Sequence, residues 1–158
     1  MAPFKFRMEF LIKARRRREE EAMARLAQRR ASIRELEGEK AELEAKKLRL
    51  RGELEEKIKS GRIDISTLKL YKEYDFKLTK DIKRLDEFLR LSRREEAKEQ
   101  AALTKASIDR KIMEKLKEKK KTEYLEEQAR LAQNHLEEMA SLAKARRDRE
   151  NGRDVFGS

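Results

Sequence analysis

Leucine and isoleucine recur along the first part of the chain at Ile33, Leu36, Leu43, Leu50 and Leu54, a spacing that keeps to a 3/7 period. On a helix that period lays a narrow apolar stripe along one side, the seam of a coiled coil. With Leu26, Ile33 and Leu54 at a positions and Ala22, Leu36, Leu43 and Leu50 at d positions, one register runs from about residue 19 to residue 55. Lys40 and Lys47 take the intervening a positions. Their methylenes can lie along the seam while the ammonium reaches water, which lowers stability and limits strand number.

The breaks in the pattern predict two helices. The single proline, Pro3, suits a first helical turn. Ser60-Gly61 suits a left-handed C-terminal cap, with Lys57 and Lys59 complementing the helix dipole. Asp64 or Ser66 can cap a second helix whose stripe runs Leu68, Tyr71, Leu78, Ile82, Leu85 and Leu89. A short break between long helices implies an antiparallel hairpin. The expectation is all-α: one coiled-coil domain over 1–158, with helix 4–60, bend 61–65, helix 66–150 and a frayed tail 151–158.

At 1.5 Å per residue the helices would reach roughly 80–85 Å and 120–130 Å, so the second overhangs. A bend near residue 63 sets Ile33 near Arg93 and Arg29 near Ala97, bringing Arg29 and Arg30 to Glu96 and Glu99. The second seam turns polar at Ser92, Glu96 and Glu99 before Leu103, Ala106 and Met113. Beyond Lys115 to Lys121 its phase moves to Leu125, Ala129, Ala132, Leu136, Met139 and Ala143, as at a stutter. That last stretch has little opposite it and must overhang, fold back or meet a partner.

Composition then narrows the function. Charged residues make up 47% of the chain and there is no Cys, so neither a disulfide framework nor a thiolate metal site is available. His135 is the only histidine and has no second His or Cys to complete a metal site, so no cofactor and no catalytic activity are expected. No apolar run approaches the roughly 20 residues of a membrane span, and no secretory h-region opens the chain. The expected product is a soluble intracellular, non-enzymatic protein.

The net charge of +11 is uneven: residues 1–34 hold eleven basic and four acidic side chains, a balance of +7, against seven and eight in residues 35–60. Arg15 to Arg18 wrap most of a turn, and Arg146, Arg147 and Arg149 add charge near the other terminus. No aromatic platform or reading motif accompanies them, which disfavours nucleic acid. An acidic protein surface suits them better, with salt dependence as its signature.

The opening Phe4-Lys5-Phe6-Arg7-Met8-Glu9-Phe10-Leu11-Ile12-Lys13-Ala14-Arg15, then Glu19-Glu20-Glu21-Ala22, resembles the start of FliJ-family proteins of the flagellar type III export apparatus. The glycine-containing bend followed by Leu70-Tyr71-Lys72-Glu73-Tyr74, Leu78 and Ile82 is similar to that family's central segment. The resemblance implies a cytoplasmic stalk, associated with the inner membrane only through the export apparatus. Its implied partners are a hexameric export ATPase, which it binds and stimulates, the cytoplasmic domain of the export gate, and export chaperones. No nucleic acid and no membrane insertion are implied. Carried onto this chain, the ATPase-facing set is Phe6, Phe10, Leu11, Arg15, Arg18 and Arg147, and the gate-facing set is Leu43, Leu50, Tyr71, Tyr74 and Leu78. Internal packing competes for Leu43, Leu50, Tyr71 and Leu78, which also sit on the seam. Rival readings are the equivalent stalk of a virulence secretion system and a scaffold coiled coil that homodimerises.

Overall fold

A computed structural model describes residues 2–156. Two helices, α1 (Glu9–Lys59) and the longer α2 (Ile65–Phe156), pack against each other as an antiparallel hairpin, with no strand among the described residues. The chain divides into two compact units. One joins Met1–Ala14 with Arg110–Ser158, and the other is Arg15–Asp109.

The turn between the helices is built as its residues demand. The amide N–H of Ser60 donates to Glu56 O at 3.0 Å and that of Gly61 to Ile58 O at 3.2 Å, closing α1. Gly61 sits at φ 66°, where a Cβ would clash with its own backbone. Asp64 then caps α2, accepting from the Thr67 N–H at 2.8 Å. Hydrogen bonding from the Thr67 side chain, and then from its backbone N–H, holds the Asp64 carboxyl below its ordinary range. The cap is therefore fully present at neutral pH and lost as acid protonates it.

In the Arg15–Asp109 unit, the 3/7 positions of α1 from Arg15 and Glu19 through Ala22, Leu26, Arg29 and Ile33 to Leu54 are all buried or half-buried. The facing stripe of α2 behaves alike from Leu68 through Leu78 and Leu89 to Ala106. Ala22, Leu26, Ile33, Leu78 and Leu89 are the buried side chains of this unit. Each buried Leu or Ile contributes about 1.5–3 kcal/mol, more than an exposed ion pair supplies.

Polar groups along the seam find partners across it. Lys40 Nζ lies 2.6 Å from Asp86, which raises the lysine above its ordinary pKa, chiefly through that hydrogen bond. Lys47 donates to Thr79 Oγ1 at 2.6 Å, and the Thr79 hydroxyl donates to Asp75 O. Arg51 meets Asp75, Arg93 meets Glu37, and Arg30 bonds both Glu96 at 3.0 Å and Gln100. These pairs reproduce the register expected for a bend near residue 63. One detail differs: Arg25, rather than Arg29, reaches Glu99. Arg29 occupies a d position and is half-buried in the seam, whereas Arg25 and Arg30 are at the flanking g and e positions from which ion pairs form. No buried side-chain nitrogen or oxygen among the described residues lacks a partner.

The other unit corrects the expected start of the first helix. Residues 2–6 are not helical; residues 7–8 turn, and α1 begins at Glu9 instead of residue 4. The preceding segment lies against α2 instead: the Phe4 ring meets Tyr124 at 5.6 Å between centroids, and the Tyr124 hydroxyl donates to Ala2 O. Glu9 pairs with Lys117 at 2.7 Å, and Ile12 and Met113 are buried. The far end differs as well. Residues 151–156 continue α2 where a frayed tail was expected, while residues 157–158 of that tail fall outside the described residues.

Three outcomes test this packing. Gly38 and Gly52 lie in mid-helix with open space where a Cβ would stand, so changing either to Ala should stabilise the fold by about 0.5–1 kcal/mol. Gly61→Ala should destabilise by about 1–2 kcal/mol because of its positive φ; urea titration reads both signs. A double-mutant cycle on Arg30 and Glu96 should give a coupling of about 0.5 kcal/mol that shrinks with salt, and zero coupling at low salt would contradict the register.

Candidate functional site

Helix pairing consumes some of the expected contact residues and leaves others open. In the Arg15–Asp109 unit, Leu43, Leu50 and Tyr71 are half-buried in the seam and Leu78 is only 3% exposed. Leu78 is thus a packing residue while the helices stay paired. Tyr74 is 45% exposed, as its position beside the stripe implies. Tyr71 also carries the Lys57 ammonium over its ring at 5.0 Å, tying the end of α1 to the start of α2.

The open apolar surface near the bend involves residues the stripe reading passed over. Ile65, Leu70 and Phe76 are strongly exposed, Phe76 at 66%. Ile65 and Phe76 are eleven residues apart, close to three full turns, so they share one side of α2. Together with Leu68, Lys69, Lys72 and Glu73 they line a shallow apolar groove. Lys80 lies over the Phe76 ring at 5.7 Å. The signal available in the sequence was the spacing of these large apolar residues off the seam.

The arginines of this unit have distinct circumstances. Arg15 is half-buried and donates to Asp109 O at 2.8 Å, so part of its role is to hold α1 against α2. Arg18 is exposed beside it in a shallow groove with Glu21, Arg25, Lys105 and Asp109. Ser107 donates to Glu19 at 2.7 Å nearby.

In the unit formed by Met1–Ala14 and Arg110–Ser158, Phe6 and Leu11 are half-buried and Phe10 is 67% exposed. Residues 110–121 carry seven basic and two acidic side chains, a balance of +5. Arg147 stands on the stretch of α2 after Gln128 where every described side chain is exposed. Leu125, Leu136 and Met139, on the stretch expected to overhang, fold back or meet a partner, are exposed in the folded chain.

Among the described residues no group of His, Asp and Glu could hold a metal ion, and no helix is long and apolar enough to cross a membrane. The arrangement offers exposed apolar side chains bordered by basic ones. Neither a search of curated proteins nor one of solved structures finds a match. The family model described as Flagellar FliJ protein, however, matches residues 4–149. A match over nearly the whole chain, on a hairpin of two long helices, establishes that this protein belongs to the flagellar FliJ family.

Proposed function

We propose that this flagellar export component is a non-catalytic stalk that binds and stimulates the hexameric export ATPase, contacts the cytoplasmic domain of the export gate and serves in recycling export chaperones. The observation that carries this reading is the presence, on each unit, of exposed large apolar side chains bordered by basic ones. On one unit they are Tyr74, Phe76 and their neighbours, assigned to the gate together with Leu43, Leu50, Tyr71 and Leu78 at the seam. On the other they are Phe10 and the exposed part of α2, assigned to the ATPase with Phe6, Leu11 and Arg147. On the Arg15–Asp109 unit, Arg15 and Arg18 are assigned to the ATPase as well.

A binding protein can stimulate a ring enzyme only by preferring one of its conformations over another. An asymmetric two-helix protein meets the subunits of a ring unequally, and that inequality supplies the differential affinity. The basic side chains speed encounter with an acidic surface, while the apolar ones hold the complex.

Capture of the full chain by purified export ATPase and by the purified gate domain tests the assignment. Arg18→Glu should weaken ATPase capture and stimulation about tenfold at low salt, with less effect at high salt, and leave gate capture intact. Tyr74→Ala with Phe76→Ala should do the reverse. Unchanged capture in both variants, or joint loss of both activities, would remove the assignment.

A further inference from the structure

The stretch of α2 after Gln128 is exposed throughout its described residues and poor in charge up to Ala143. From Gln128 to Ala143 only three of sixteen side chains are charged, Arg130, Glu137 and Glu138, in a chain where 47% are. Leu136 is 63% exposed and Met139 56%, and Leu142 is similarly open. On the heptad that places Ala129, Leu136 and Ala143 at a and Ala132 and Met139 at d, those three charges fall at the outer b and c positions. At 100° per residue the positions of this stripe lie roughly 60–140° around the helix from the side where Tyr124 meets the N-terminal segment. Every described side chain after Gln128 is exposed, so the described N-terminal segment leaves the stripe uncovered.

We infer that the occupant is a second copy of this chain, lying antiparallel on the same stripe about a two-fold axis beside Glu137 and Glu138. In that register Leu136 packs on Met139 of the second copy, and Ala132 on Ala143, so a large layer is flanked by small ones that let the helices approach closely. The Arg146 stem covers Ala129 of the second copy. At the edges Glu126 faces Arg147 and His135 lies against Leu142, each pair made twice by symmetry. A parallel arrangement would instead stack Arg146 on its own copy. Charge complementarity thus selects both the occupant and its direction.

This inference goes beyond the stalk reading and bears on it at one residue. Arg147, assigned above to the ATPase, is covered in the pair, so ring and second copy compete for it. Self-association becomes a store of chain that the ATPase must dissociate.

Sedimentation of the full chain alone over a range of concentrations tests the pairing. The mass should rise from 18.8 kDa toward twice that value. Glu126→Arg and Arg147→Glu, both on exposed helix faces, should each shift the midpoint about fivefold or more to higher concentration. The double variant should return to within about twofold of the unsubstituted chain, because the swap restores the pair. A single-chain mass at sub-millimolar concentration would overturn the inference. So would association that neither charge reversal alters, or a double variant no better than the singles. If the chain stays single while Arg147→Glu loses ATPase capture, the stripe belongs to the ring and the pairing fails. The stalk reading stands or falls separately, on capture by ATPase and gate.

Discussion

The structure depends on a seam only two positions in seven wide. A chain so heavily charged cannot build a broad core, and among the described residues the buried side chains are Ala22, Leu26, Ile33, Leu78 and Leu89 in one unit and Ile12 and Met113 in the other. Positions outside that stripe are free to carry charge, and most of the chain's 43 basic and 32 acidic residues lie there. The same economy makes the seam's interruptions informative. Where Lys40, Lys47 or Arg29 enters it, methylenes do the packing and the charged end finds a partner or water.

Hydrophobic burial supplies the stability, and the ion pairs supply the alignment. Sliding α2 by one heptad would still bring leucine to leucine, because the apolar period repeats. It would break Lys40–Asp86, Arg51–Asp75, Arg30–Glu96 and Glu37–Arg93 together. Each pair is weak alone. Acting in concert, and with the turn pinned by Gly61 and Asp64, they select one register among several of similar apolar content.

The helix pair and its alignment could be read from the residues because heptad period, glycine position and capping chemistry all act locally. What escaped was decided by tertiary contact. Pro3 is compatible with a helical first turn, yet Phe4 gains more by meeting the Tyr124 ring, so α1 starts at Glu9. Arg29 looked as able to pair as Arg30, but their facing directions differ by a helical step and only one flanks the seam. For the candidate surfaces, Tyr74 was recognisable from its offset, whereas Ile65, Leu70 and Phe76 were hidden by attention to the buried stripe. The function itself came from family membership, since a coiled coil's period is shared by many unrelated proteins.

Intramolecular pairing in this register is the claim on which the assignment of exposed surface rests, and the lack of cysteine makes it directly measurable. The variant Arg30→Cys with Glu96→Cys, treated with a short thiol-reactive bifunctional linker at high dilution, should give a rapid crosslink within one chain, and Arg30→Cys with Glu87→Cys should not. Crosslinks that form only between chains, or equal yields from the two pairs, would contradict the account.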